Sequence, residues 1–326
     1  MQELGCPDRR PELLALRALK LGDLLVAVPA IRGLRRAFPR HRLVLAVPAW
    51  LEPVVDLIDG VDALLPTPGL DDPLPLERGR IDIAVNLHGS GPESRGLVDA
   101  LGARVSMVHR VEELDGPAGA DTHAEQPPPA WRADVHERQR WVRLVGAYGV
   151  AADPDEVGLA PAPTAPGLDG PTVLHVGAAY GSRLWPVARF AAVARTLADD
   201  GHRVVFTGGP KERERALEVA RRAGLDDDAV LAGRLDLGRF AGAIQHARLV
   251  ISADTGAAHL ASAYSTPSVV LFGPAAPEHW GPPAGPHIVL TDARVRRGET
   301  FAADPDPALL AVTVDDVLQA AGRVTR

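Results

Sequence analysis

Short apolar runs rich in β-branched residues alternate along the chain with amphipathic stretches of helical period. This is the pattern of βα units feeding a parallel sheet. In the first half it predicts strands over residues 13–17, 42–47, 63–65, 81–87 and 104–108. The second half repeats the scheme over 172–176, 203–207, 230–231, 249–252, 268–272 and 287–290. Between the halves, residues 159–171 read LAPAPTAPGLDGP, whose prolines and glycines oppose helix and strand alike and mark a linker. The fold class is therefore α/β, two doubly wound, Rossmann-like domains over residues 1–160 and 171–326. The last predicted helix, Val314–Val324, is free to pack back on the first domain. Residues 116–131 carry neither period and read as an irregular, mobile loop.

Composition narrows the class of protein. A length of 326 residues exceeds what one core usually organises, and no run approaches the roughly 20 apolar residues of a membrane span. The first ten residues, MQELGCPDRR, lack the basic start, apolar stretch and cleavage site of a secretory signal. The expected location is cytoplasmic, with at most peripheral contact at the inner face of the membrane. Cys6 is the single cysteine, so no internal disulfide or cysteine-built metal cage can form. A net charge of -7 argues against nucleic acid as a partner. The local basic cluster Arg32, Arg35, Arg36, Arg40, His41 and Arg42 reads as a solvated helix face or as a seat for an anionic acceptor or lipid surface.

The first candidate site follows the first strand. There the chain passes through a tight turn at Gly22 into a helix predicted to begin near Asp23. Loops at the carboxyl ends of parallel strands line the ligand crevice, which makes Asp23 a candidate catalytic carboxylate. An aspartate at a helix start is equally a favoured N-cap, and spacing leaves both readings open. No GxGxxG follows this strand and no GxxxxGK[ST] occurs anywhere, which disfavours nicotinamide and P-loop chemistry.

The stronger signal lies in the second half, where an apolar strand runs into Ala253-Asp254-Thr255-Gly256-Ala257-Ala258-His259 with a helix predicted to start at Thr255. Free N–H groups and the helix dipole suit that start to a diphosphate. Gly256 permits close approach to the backbone, and Thr255 and His259 share one helix face. An Asp-capped helix with a buried histidine is the alternative. The next strand ends in Phe272-Gly273-Pro274, followed by Trp280-Gly281-Pro282, a second rigid turn at the same sheet edge. An earlier turn, residues 177–186, carries small residues and Arg183, whose fork can grip phosphate oxygens or simply lie at the surface beside a structural tryptophan. A fourth turn ends in Glu212, which could accept from a ribose hydroxyl.

Together, LGDLLVAVPAIRGLRRAFP, SRLWP and SADTGAAHLASAYSTPSVVLFGPAAPEHWGP resemble the ADP-heptose:lipopolysaccharide heptosyltransferases, glycosyltransferase family 9, over essentially the whole chain. The resemblance implies a GT-B fold with two domains facing across a cleft, the first holding an acceptor and the second a nucleotide sugar. It further implies an inverting reaction without metal or other cofactor, with ADP-heptose as donor and a glycan, glycolipid or small molecule as acceptor. By the match, Asp23 falls on the catalytic base, and Asp254, Thr255, Gly256 and His259 on the contacts to donor sugar and diphosphate. Glu212 and Leu235 fall near the ribose and adenine positions. Two departures are visible. Arg183 stands where the family usually carries a phosphate-binding lysine. Asn86-Leu87-His88-Gly89 replaces Asp-Leu-Gln-Gly, which places Asn86 and His88 at an altered acceptor side. A transferase or epimerase using another nucleotide sugar, or a non-catalytic sugar-nucleotide-binding protein, would share these signals. The arginine-rich composition, with only Lys20 and Lys211 as lysines, also suits a GC-rich bacterium whose acceptor is another envelope glycan or a natural product.

Overall fold

The computed structural model describes residues 2–3, 10–116, 128–163 and 170–325. Cys6, residues 117–127 of the predicted loop and residues 164–169 of the predicted linker lie outside the described residues. The chain divides into two units, residues 1–160 and 161–326. Each end of the 159–171 stretch is anchored to its own unit: Ala160 N donates to Leu57 O at 2.9 Å, and Ala162 N to Gln245 Oε1 at 2.9 Å.

In the first unit the apolar runs become β1 (Gln2–Glu3), β2 (Glu12–Leu16), β3 (Arg42–Val47), β4 (Ala63–Pro66), β5 (Ile81–Asn86) and β6 (Val105–Met107). They form a parallel sheet of order β1-β4-β3-β2-β5-β6. Its helices are α1 (Leu21–Ala37), α2 (Glu52–Val55), α3 (Pro92–Ala100), α4 (Glu112–Asp115) and α5 (Glu137–Gly146), with α1 packed on α5. β2 and β3 are buried at every position, as parallel strands covered on both faces must be. The basic cluster is largely internal bracing. Arg35 pairs with Asp62 at 2.9 Å, Arg36 with Glu156 at 2.7 Å, Arg32 with Asp59 at 3.3 Å, His41 with Asp82 at 2.8 Å and Arg42 with the buried Glu12 at 3.1 Å. These side chains tie the helix and sheet edges together, which leaves less free charge for an anionic surface than the sequence implied.

The second unit contains β7 (Thr172–His175), β8 (Val204–Thr207), β9 (Leu249–Ala253), β10 (Ser268–Leu271) and β11 (His287–Leu290), parallel in the order β11-β10-β9-β7-β8. Its helices are α6 (Val187–Asp199), α7 (Arg213–Ala223), α8 (Leu237–Gln245), α9 (Gly256–Ala263), α10 (Pro277–Trp280), α11 (Pro307–Leu310) and α12 (Val314–Val324). The strand predicted at 230–231 is not one. A 3-10 turn at Asp227–Ala229 and a left-handed Gly233 at φ 72° bracket it, leaving a single bridge from Val230 to Phe206. Within its own unit α12 (Val314–Val324) buries its apolar face in the core. Val317, Ala320 and Ala321 join the second core beside Leu197 and Val269, and α12 packs on α6, β10 and β11.

Each sheet reverses its strand order once near its first strand: β2 sits between β3 and β5, and β7 between β8 and β9. Loops leaving the two strands on either side of such a reversal diverge, which opens a crevice at their carboxyl ends.

Candidate functional site

At the first reversal the loop after β2 leads into α1. The helix begins at Leu21, so Gly22 is its second residue rather than a turn, and Asp23 is its third residue rather than its cap. From there the Asp23 carboxylate accepts from Lys20 N at 3.2 Å, closing the first turn, and remains about one quarter exposed. Arg17, which follows the last residue of β2, is 1% exposed. Its Nε donates to Asp23 O at 2.9 Å, one terminal nitrogen donates to Leu87 O and, at 3.4 Å, to His88 O, and the other lies 3.8 Å from Asp23 Oδ1. The guanidinium carbon sits 4.6 Å from the centre of the buried Trp141 ring.

His88 belongs to the loop after β5. Burial, and then the Arg17 charge, push its imidazole down to about 4, against a weaker opposing pull from Asp23. It is therefore neutral at physiological pH, and its buried Nδ1 has no hydrogen-bond partner among the described residues. Asn86 is engaged by the protein itself: Nδ2 donates to Ser94 Oγ at 3.1 Å and Oδ1 accepts from His88 N at 3.0 Å. It shapes the loop that presents His88.

At the second reversal β9 delivers Asp254, 3% exposed, directly before Thr255, the N-cap of α9. The Thr255 hydroxyl accepts from Ala257 N at 3.3 Å and pairs with Ser252 Oγ at 2.9 Å. Gly256 is the first helical residue. Arg183, from the loop after β7, donates from one terminal nitrogen to Asp254 O at 3.1 Å and lies 3.3 Å from Asp254 Oδ2. His259 Nε2 lies 3.8 Å from Asp254 Oδ1, and the edge of its ring meets Trp280 at 6.2 Å. Arg183, Asp254 and His259 thus converge at the positive end of α9, an arrangement able to receive a polyanion. The neighbouring Trp185 is structural, fully buried with Nε1 bonded to Val312 O at 3.1 Å.

Beside it, Glu212 accepts from Gly209 N and lies so close over Gly177 that a Cβ there would sit 2.0 Å from its carboxyl carbon. His175 pairs with Thr207 Oγ1 at 3.1 Å and meets Phe240 at 5.4 Å; burial lowers its proton affinity, opposed by Glu212. Leu235 lies in the turn before α8, which is capped by Asp236. Sequence reasoning missed Arg17, Trp141, His175 and Phe240. Of these, Arg17 left a usable signal, a charge closing an apolar strand six residues before a candidate aspartate. Among the described residues no group of three or more His, Cys, Asp or Glu side chains is gathered as a metal site.

Two parallel-sheet α/β units with a crevice-forming reversal in each define a GT-B architecture. A glycosyltransferase of family 9 from Veillonella parvula superposes over 98% of this chain and 97% of its own at a TM-score of 0.75 and 20% identity. An Escherichia coli heptosyltransferase solved with ADP superposes over 96% and 99% at 0.70 and 18%. The model of glycosyltransferase family 9 (heptosyltransferase) matches residues 107–299, and the chain belongs to that family. Lipopolysaccharide heptosyltransferase 1 of Pseudomonas aeruginosa is 36% identical over 166 residues, which span 47% of this chain and 44% of that relative, less than half its length.

Proposed function

We propose that the chain is an inverting glycosyltransferase that moves a sugar from a nucleoside-diphosphate donor, ADP-heptose, to a hydroxyl of a glycan or glycolipid acceptor without a bound metal. The observation that carries this reading is the convergence of Arg183, Asp254 and His259 at the start of α9 in a member of family 9. The E. coli heptosyltransferase of like fold was solved with ADP, which supports an adenosine diphosphate on the donor side.

In this reading Asp23 accepts the proton of the acceptor hydroxyl as its oxygen attacks the anomeric carbon. The bond from that carbon to the β-phosphate oxygen breaks, and its electron pair leaves on ADP. Direct displacement inverts the configuration. General-base assistance of this kind contributes about 10²- to 10⁴-fold. Arg183 and the N–H groups opening α9 stabilise the charge growing on the leaving diphosphate, the task a metal performs in other transferases.

Isothermal calorimetry with ADP-heptose, UDP-sugars and GDP-sugars tests the donor. The expected result is a preference of at least about tenfold, 1.4 kcal/mol, for the ADP-sugar. Equal affinity for all three, or none for any, would overturn it. Transfer assays run with and without EDTA test metal independence, with unchanged turnover expected.

A further inference from the structure

Arg17 has a geometry that a packing role alone does not account for. A guanidinium this far removed from water must be surrounded by acceptors, and a buried ion pair is a poor stabiliser compared with an apolar side chain of similar size. For stability alone, a leucine or methionine closing the apolar strand β2 would serve as well. What the guanidinium adds is directional. Among the described residues its acceptors come from the first turn of α1 and the loop after β5: Asp23 O at 2.9 Å, Leu87 O and His88 O at 3.4 Å, with Asp23 Oδ1 at 3.8 Å. Trp141, 4.6 Å from the guanidinium carbon, closes one face of the planar fork, and Glu137 and Arg140 are the other charges that act on it. The fork therefore has one orientation, and that orientation fixes both the main chain that carries Asp23 and the loop that carries His88.

We propose that Arg17 is a positioning residue for Asp23, clamping the first turn of α1 to the loop after β5 so that the carboxylate and the His88 imidazole are presented to the acceptor in one fixed geometry. This rests on the reading of Asp23 as the base. Arg17 takes no proton and touches no substrate; it acts through Asp23. A displacement of the base by about 1 Å can cost on the order of 10²-fold in rate, so the clamp is expressed in turnover rather than in affinity.

The test compares Arg17→Lys, Arg17→Gly, Asp23→Asn and the double variant Arg17→Lys/Asp23→Asn in a sugar-transfer assay, with folding checked by thermal melting. Arg17→Lys keeps the charge but loses the fork, and its kcat is expected to fall about 10- to 100-fold. The KM for donor stays within about threefold of the unsubstituted chain. Guanidinium ion at millimolar concentration restores part of the kcat of Arg17→Gly. In the Asp23→Asn background, Arg17→Lys changes the residual rate by less than about twofold, because the two act as a unit. Undiminished kcat in Arg17→Lys, or an equally large loss with Asp23 already replaced, overturns the proposal. Should Arg17→Gly fail to fold, Arg17→Lys and the double variant still decide it. If the unsubstituted chain transfers no sugar, or Asp23→Asn keeps its turnover, it is the functional reading that has failed, and the inference falls with it.

Discussion

Arg17 and Arg183 occupy the same topological station in their two units, Arg17 after β2 and Arg183 after β7, each reaching across the strand-order reversal to the neighbouring segment. Their surroundings differ. Arg17 is 1% exposed, meets three carbonyls and lies against a tryptophan, while Arg183 is 23% exposed and bonds to Asp254 through a single terminal nitrogen. The Arg183 Nε finds no acceptor among the described residues. One guanidinium makes three hydrogen bonds to backbone carbonyls and, in the role proposed for it, holds a carboxylate in place. The other keeps donor capacity beside a helix start, where an anion would complete its hydrogen bonding. The proposed brace and the proposed anion receptor thus share a fold position, and the number of carbonyls within reach distinguishes them.

The sharpest test of this contrast replaces Asp23 on one side and Arg183 itself on the other. Asp23→Asn retains an oxygen to accept from Lys20 N, so α1 keeps its first turn. Turnover is expected to fall about 10²- to 10⁴-fold while calorimetric donor affinity stays unchanged. Weakened donor binding in that variant would break the division between the sites. Arg183→Ala should show the converse, donor affinity reduced about 10- to 100-fold, the value of a charge-assisted hydrogen bond. Arg183→Lys, which keeps the charge, should lose less than about tenfold. If lysine and alanine behaved alike, the fork rather than the charge would be what the donor reads.

A smaller effect is expected from the turn that carries Arg183. Ser182 is docked on the 300–306 segment through Ser182 N to Ala302 O at 2.9 Å, its hydroxyl to Thr300 O at 2.6 Å and Asp306 N to Ser182 O at 3.0 Å. A Cβ on Gly181 would stand 1.6 Å from Ala303 O, a backbone atom that cannot swing aside. Gly181→Ala should cost about 1–3 kcal/mol in thermal or denaturant unfolding and weaken the donor with it. Loss of stability with donor affinity intact would show that the turn and Arg183 are independent.

The elements were legible because parallel strands covered on both faces read as continuous apolar runs; β3 and β11 fall on their predicted residues. β1 was not, since two residues carry no period, and 230–231 was read as a strand from the same kind of short run. Asp254, Thr255, His259 and Arg183 were legible as strand-to-helix turn chemistry, and the structure brings Asp254, His259 and Arg183 together. Asn86 stands at the acceptor side by sequence match, and in the structure its amide bonds to Ser94 and His88. Arg17 was read only as the end of a strand. Its partners are backbone carbonyls, which any residue supplies, and a tryptophan on α5 far along the chain. A brace built from main-chain acceptors shows in residue identity only as a charge closing an apolar strand.

The smallest effect is expected from acid acting on the first unit. His259 lies beside a carboxylate, whereas His109 in the first unit is 3% exposed, wedged edge-on against Trp131 and Trp141, with neither ring nitrogen hydrogen-bonded among the described residues. Burial, and then Arg143 and Arg140, push His109 down to about 4. An unfolded histidine takes up its proton near 6.5. Between those values the unfolded chain binds a proton that the folded chain refuses, so the stability contributed by the neutral ring is intact above about 6.5 and declines as pH falls toward 4. The melting temperature should therefore drop between pH 7 and pH 5. His109→Phe keeps the aromatic contacts and removes both unsatisfied nitrogens, so it should raise stability at pH 7 by about 1 kcal/mol and flatten the acid slope. A variant that melts lower at neutral pH would mean that the imidazole does more than fill space between the two tryptophans. An unchanged slope would transfer the acid sensitivity to the other histidines whose proton affinity burial lowers, His88, held near 4 beside Arg17, and His175 among them.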